Sequence, residues 1–399
     1  MRRSAGCPPD AGSGWDDVAL TDPDGHSWLV AVDVSSARSR PTGVGVYIRD
    51  LAQGLVRTDP DAIALIGVRP DGPLAETAPR AAAAGWHAGG HHHRWLMTAA
   101  ASDARRVHAR IAHFTNASAP MRAGLPYVLT IQDLSVIRYP LYHPPLRVAT
   151  IPIVWASAQR ATAIIVPSQA TRAELRRLLG VAARKVVVIP HAASADIPLR
   201  NEDGADPGLA KAVRRQVGVG SDPFILSIGT IEPRKNQVRL VRAFEALARE
   251  HPALRLVLVG APGWRGDSLI HAIQSGPGRD RIHLAGYLAP EALAALLGDA
   301  EVFAYVSLYE GFGLPILEAM ARGVPVVTSA VSSMPEVAAD AAILVDPRDV
   351  TAIEAGLRAA VARRSQLSAA GLKRARWRDW GDVAGETLEV YRWSARQAG

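Results

Sequence analysis

One cysteine in 399 residues, Cys7, excludes an internal disulfide and any multi-cysteine metal site. No run approaches the roughly 20 uninterrupted apolar residues that a membrane-spanning helix requires. An apolar stretch is missing from the N-terminus too. Arg2 and Arg3 lead into SAGCPPDAGSGWDD, so a secretory signal is not expected and the cytoplasm is the expected compartment. Aromatic side chains make up only 6% and do not interleave with the arginines as a base-stacking platform would, which argues against nucleic acid as a partner. A strand-linked GxGxxG with an acidic residue about 20 positions further on is also missing near the first apolar run, which disfavours a dinucleotide-dependent oxidoreductase. Lysine is scarce: Lys185, Lys211, Lys235 and Lys373 stand against 41 arginines. Where one of the four is kept, the chain has placed a compact point charge rather than a planar fork.

Single hydrophobic cores stop growing well short of this length, so two domains are expected. With 48% hydrophobic and 21% charged residues the composition is that of a globular chain. The formal charge of +7 is unevenly spread. Residues 1–27 hold 2 basic and 5 acidic side chains, residues 28–200 hold 20 and 10, and residues 201–399 hold 23 and 23. The first domain alone is basic, which suits an anionic membrane surface or, more blandly, a solubilising face. RWLMTAAASDARRVHARI, residues 94–111, reads as a helix with an apolar and an arginine face, open either to surface association with lipid or to packing within the first domain.

From Trp28 short apolar runs alternate with amphipathic stretches: WLVAVDV, the helix-like VYIRDLAQGLVR, AIALIGV, and later YVLTI, AIIVP and KVVVIP. This is the alternation of βαβ units. NEDGADPGLAKAVRRQVGVGSDP, residues 201–223, reads as a linker holding one helix. A second series follows, with strands expected at 224–229, 254–260, 281–286, 302–307, 324–329 and 342–345, each short, apolar and suited to burial on both faces. The expected class is α/β, with two Rossmann-like parallel-sheet domains facing across a cleft. The expected division is a disordered tail over 1–27, a first domain over 28–200, the linker 201–223, a second domain over 224–375, and a helix over 376–399 crossing back to the first domain. The tract His91–His93 reads either as an exposed loop or as transition-metal ligands, although three consecutive residues cannot converge from one helix or strand face.

The chemistry concentrates in three places. YEGFGLPILEAMARGVPVV, residues 309–327, puts Glu310 just after an expected strand, at the edge where open parallel sheets bind ligands. Gly311, Phe312, Gly313 and Leu314 carry the backbone into a helix begun by Pro315, whose N-terminus is a natural seat for phosphate, and Glu318 lies about one turn in, able to accept ribose hydroxyls. GTIEPRKN, from Gly229 and Thr230 to Asn236, sets Arg234 and Lys235 at another strand end, where two cations can neutralise a diphosphate and support it as a leaving group without a metal. The plainer alternative is a capping loop, with Asn236 capping the next helix. Third, PTGVGVYIRDL places Gly43 and Gly45 between the first strand and a helix, a GxG turn common to nucleotide-binding and other turns, which would close the cleft opposite the other two pieces.

GTIEPRKN, the GYL that contains Tyr287, and the block from Glu310 to Glu318 resemble the retaining glycosyltransferases of family 4, with the GT-B fold, over residues 28–395. The resemblance implies transfer of a hexosyl group, with mannosyl one of the options, from a nucleotide-diphosphate sugar to a saccharide or lipid-linked acceptor hydroxyl, with retained anomeric configuration and no cofactor. It implies that Arg234 and Lys235 hold the diphosphate, Glu318 the ribose and Glu310 the donor sugar, with front-face displacement. YVLTIQDLSVIRYP departs from the family's usual HD at Gln132 and Asp133, on the acceptor side. Glutamine hydrogen-bonds but does not titrate near neutral pH. VIPHAASADI has Ala192 where the family commonly has glycine. These departures leave a catalytically degenerate binder or scaffold as the alternative. His113 and His191 read as structural rather than catalytic.

Overall fold

The computed structural model describes residues 28–37, 43–68, Leu74, 86–87, 92–200 and 207–398. The expected tail over 1–27, Cys7, His91 and the first six residues of the expected linker lie outside the described residues. The chain forms two compact units: one of residues up to Ile137, Pro145–His191 and from Arg378 on, the other of Arg138–Pro144 and Ala192–Trp377.

The first unit is built on a seven-stranded parallel sheet in the order β3-β2-β1-β4-β5-β6-β7. Its strands are β1 (Leu29–Asp33), β2 (Ile63–Val68), β3 (Trp86–His87), β4 (Ala109–Phe114), β5 (Tyr127–Thr130), β6 (Ala163–Val166) and β7 (Val186–Val188). Val30, Ala31 and Val32 are wholly buried, as a strand covered on both faces must be. One face carries the cluster of Ala31, Ile66, Phe114, Leu129 and Ile164. Elsewhere in this unit, helix α1 (Gly43–Thr58) packs against the C-terminal helix Trp380–Ala398.

Residues 94–111 do not form one helix. Two short helices, His92–Thr98 and Ala100–Arg106, are followed by His108 in the left-handed region at φ 54° and then by β4, which claims Ala109 to Ile111. Trp95 Nε1 donates to Asp103 Oδ2 at 2.8 Å, tying the two helices together over a wholly buried carboxylate. The apolar side of the pair, Trp95, Leu96, Ala100 and Ala104, is absorbed by the core of the first unit, which removes it as a lipid-facing surface.

The second unit carries a six-stranded parallel sheet in the order β10-β9-β8-β11-β12-β13. Its strands are β8 (Phe224–Ile228), β9 (Arg255–Val259), β10 (Ile282–Gly286), β11 (Val302–Tyr305), β12 (Val326–Ser329) and β13 (Ala342–Val345). Helices Gln237–Leu247 and Leu314–Ala321, called α2 and α3 here, flank the sheet. The chain runs outward from β8 to β10 and returns to start again at β11, so the strand order reverses between β8 and β11. Their carboxyl ends are where a doubly wound sheet opens to a ligand.

Candidate active site

Both C-terminal motifs emerge at that reversal, the stretch Gly229–Asn236 from β8 and Glu310 after β11. Arg234 and Lys235 occupy a single 3-10 turn, Pro233–Lys235. Arg234 donates to Glu310 Oε2 at 2.8 Å, to the Tyr309 carbonyl at 2.9 Å and to Glu232 Oε1 at 2.5 Å. Lys235 Nζ donates to Glu310 Oε1 and to the Tyr305 hydroxyl, both at 2.7 Å, and lies 4.9 Å from the Tyr305 ring centroid. Two cations and two carboxylates thus close one compact, formally neutral cluster, in which the Glu310 side chain is 9% exposed and those of Arg234 and Lys235 13%.

Burial works against the charge of Glu310, but Arg234 and Lys235 outweigh it and hold the carboxyl down at about 2. Burial likewise pushes the Lys235 ammonium below its ordinary value, with Glu310 opposing. The Tyr305 phenol is raised well above its ordinary value by burial first and the Glu310 charge second, so it stays protonated. Glu310 is therefore an anion at any working pH: it accepts hydrogen bonds and cannot serve as a proton donor.

Local backbone explains the placement. Gly229 has φ 154°, and a Cβ there would lie 3.2 Å from Lys235 Cε, so glycine leaves the lysine stem room to cross the strand end. Asn236 sits at the N-cap of α2 at φ 59°, but its side chain makes no cap hydrogen bond. Instead its amide donates to the carbonyls of Val306 and Pro347, stitching the β8 loop to the segments that follow β11 and β13, which corrects the reading of Asn236 as a side-chain cap. The Glu310 carbonyl accepts from Ser332 at 2.5 Å and from Ser333 at 3.0 Å, and Ser333 also donates to the Phe312 carbonyl at 2.7 Å. Gly313, at φ 113°, precedes α3, whose N-cap supplies no side-chain hydrogen bond; Pro315 brings no N–H to the first turn, and the Ile316 N–H donates to the Gly313 carbonyl at 2.9 Å. Phe312 and Leu314 are buried beside it, and Glu318, 8% exposed, stands in the fifth position of the helix. Thr230 is partly buried and Tyr287 is 40% exposed. In the same unit Tyr139 packs edge-on to Tyr309 with ring centroids 5.6 Å apart.

Glu232, Tyr305, Ser332 and Ser333 belong to this assembly and were not singled out by sequence. Glu232 was legible, inside GTIEPRKN two positions before Arg234. The others act across strands, which no local spacing shows.

The remaining expected residues lie in the first unit, except Ala192, with which the second unit resumes. Gly43 and Gly45 are in the first turn of α1 rather than in a turn before it. Gln132 Oε1 accepts from His191 Nε2 at 2.7 Å, and the Gln132 amide nitrogen is buried without a hydrogen-bond partner. Asp133 accepts from the Ser135 N–H at 2.8 Å, which closes a turn. Ala192 is buried. His113 is wholly buried between the Tyr391 hydroxyl at 2.6 Å and Thr130 at 2.8 Å. Among the described residues no three His, Cys, Asp or Glu side chains are grouped to hold a metal.

Residues 41–196 match the model of Glycosyltransferase Family 4, and residues 211–377 that of Glycosyl transferases group 1. The O-antigen chain mannosyltransferase B of Escherichia coli is 37% identical over 270 residues, which cover 66% of this chain and 70% of that protein. This chain is a group 1 glycosyltransferase of the family 4 type. A D-inositol 3-phosphate glycosyltransferase of Kineococcus radiotolerans is 34% identical to this glycosyltransferase over 256 residues, 59% of this chain and 58% of that one. The fold is shown by HepE of Anabaena, solved with UDP and glucose, with a TM-score of 0.70 at 18% identity over 92% of this chain and 100% of that one. Sucrose-phosphate synthase of Thermosynechococcus elongatus gives 0.68 at 20% identity, covering 92% of this chain and 98% of that one. The glycosyltransferase thus has the GT-B fold, two Rossmann-like parallel sheets.

Proposed function

We propose that this glycosyltransferase moves a hexosyl group, mannosyl by its relatives, from a nucleotide-diphosphate sugar to a saccharide or lipid-linked acceptor hydroxyl, keeping the anomeric configuration and using no metal. The observation that carries the reading is the cluster of Arg234, Lys235 and Glu310 beside the uncapped start of α3. A diphosphate arriving there takes over the two cations near the positive end of α3, and Glu310, released from them, turns its oxygens to the donor sugar's hydroxyls. Glu318 accepts from the ribose. The acceptor oxygen bonds to the anomeric carbon on the face from which the diphosphate leaves, the carbon–phosphate-oxygen bond breaks, and the acceptor proton passes to the departing phosphate oxygen. Positioning and fixed charge supply the rate, with Arg234 and Lys235 stabilising the negative charge that develops on the leaving group. The mannosyl assignment and a role in polysaccharide synthesis are supported by the O-antigen enzyme, and the nucleotide sugar by HepE with UDP and glucose.

The acceptor side falls to the first unit at the cytoplasmic face of a membrane. Exposed Leu146, Trp155 and Met121, with Arg122, Arg147 and Arg160 on the same stretch of surface sequence, support contact with anionic lipid. Proton NMR of the product from GDP-mannose tests the chemistry: an α-mannoside is expected, and an inverted product removes the mechanism. Co-sedimentation with vesicles of phosphatidylglycerol, lost in 0.5 M salt, tests the surface.

A further inference from the structure

We propose that Asp33 and His92 form a recognition pair for neighbouring hydroxyl groups of the saccharide acceptor. The inference rests on the glycosyltransferase reading above and adds to it two residues that neither the motifs nor the resemblance singled out for that role. Asp33 ends β1 where the strand order of the first sheet reverses, between β1 and β4. That edge is where an open α/β sheet takes its ligand.

The pair is buried and unsatisfied. The Asp33 side chain is 1% exposed and that of His92 9%. Asp33 Oδ1 accepts the Ser35 N–H at 2.9 Å, but Oδ2 has no hydrogen-bond partner, and neither do Nδ1 and Nε2 of His92. Nδ1 lies 3.8 Å from Oδ2, beyond hydrogen-bond reach. Three buried polar atoms left open in one place are costly and uncommon in a folded chain unless something arrives to meet them. The surrounding backbone is arranged to keep the place open. Gly67, at the end of β2 with φ 119°, would with a Cβ come within 2.2 Å of Ser35 Oγ and 3.2 Å of Asp33 Oδ1, so only glycine fits. From β4, Thr115 donates to the Asp33 carbonyl at 2.7 Å and Asn116 to Ser36 Oγ at 3.1 Å, fixing the same turn.

The chemistry of the open atoms selects the ligand. A carboxylate oxygen only accepts, whereas an imidazole offers a donor and an acceptor, and sugar hydroxyls do both. A hydroxyl oxygen at ordinary distance from both groups bridges the 3.8 Å gap. An anion is repelled by Asp33, and a metal would need further ligands that the described residues do not group there. His92 thereby departs from both readings of the histidine tract: it turns inward as the first residue of a helix, while His93 is exposed.

The test uses the full chain, GDP-mannose, and a panel of methyl α-D-mannopyranoside and α-mannosyl disaccharides, with Asp33→Asn and His92→Phe. Both variants are expected to lose about 10- to 100-fold in kcat/KM for the acceptor. The thermal shift by GDP and the slow donor hydrolysis without acceptor should stay at wild-type values. The Tm of His92→Phe should not fall, because an apolar ring replaces an imidazole that has no partner. Wild-type acceptor kinetics in both variants would overturn the proposal, as would a several-degree fall in Tm with donor hydrolysis declining in parallel, the pattern of a purely structural pair. A wild-type protein that is shifted by GDP yet transfers to no saccharide of the panel overturns it and leaves the donor reading standing. No GDP shift in the wild type removes the donor reading itself, and this one with it.

Discussion

In the first unit the network around His113 is made of neutral groups, and in the second the cluster around Glu310 is made of ions. His113 is pushed down to about 3 by burial, and His191 to about 3 by burial and then by Arg378. Tyr391, Thr130 and Tyr47 complete the first network through hydroxyls, with Tyr47 and Thr130 3.0 Å apart. In the second unit Glu232, Arg234, Lys235 and Glu310 are joined by three ion pairs, with Arg234 bridging the two carboxylates and Glu310 the two cations. A neutral network holds elements together and suits neutral hydroxyls. An ion cluster is a store of paired charge that an incoming anion can re-pair, provided its own counter-charge moves aside. The difference is in keeping with the proposal that the diphosphate is handled in the second unit and the acceptor in the first.

The largest effect should come from removing the cation with the fewest substitutes. Lys235→Ala is expected to lower kcat/KM by about 1,000-fold or more, since it strips charge stabilisation from the leaving group. Arg234→Lys keeps the charge but loses the fork that spans Glu232 and Glu310, so a smaller loss, about 30-fold, is expected from steady-state kinetics. Glu310→Gln sharpens the contrast because two properties move oppositely. Turnover should fall about 100-fold while the nucleotide shift grows, since the cations no longer have to leave Glu310. The nucleotide-free Tm should fall too. A carboxyl held at about 2 instead of its ordinary 4.5 corresponds to roughly 3 kcal/mol at pH 7.

Acid should separate the units. A histidine kept neutral by burial contributes stability that is complete above its unfolded value near 6.5 and is lost as pH falls toward about 3, because the unfolded chain takes up the proton first. A carboxylate with a depressed value contributes stability that is complete above about 4.5 and is lost as pH falls toward about 2. Hydrogen exchange at pH 5 against pH 7.5 should therefore show weakened protection in α1, β4 and β5 while β8 and β11 hold. Equal loss in both sheets would remove the contrast. The smallest effect belongs to Tyr391→Phe, which takes one hydroxyl from His113. About 1 to 2 kcal/mol of stability should go, with kcat/KM unchanged.

The two sheets and most strand positions were legible because parallel strands buried on both faces must be short, apolar and spaced by helices. FILSI fills β8, buried over Phe224–Ser227, whereas AILV at 342–345 fills β13 at the sheet edge, where Leu344 is exposed and burial on both faces is not met. Residues 94–111 misled because helical spacing continues through Arg106, and nothing in the letters marks the left-handed backbone at His108. The cations and the two glutamates were legible from their position after strands. Their direct pairing was not, since Arg234 and Glu310 are 76 positions apart and meet only through the reversal between β8 and β11. Gln132 was read as a missing titrating group, and its bond to the buried His191 appears only once β5 and β7 are placed in one sheet.

The most direct measurement is titration of the full chain with GDP and with UDP, following Tm and calorimetric heat, in the wild type, Lys235→Ala and Glu310→Gln. The account predicts a shift in the wild type that disappears in Lys235→Ala and increases in Glu310→Gln. An undiminished shift in Lys235→Ala would mean that the nucleotide rests elsewhere, and the central assignment would fail.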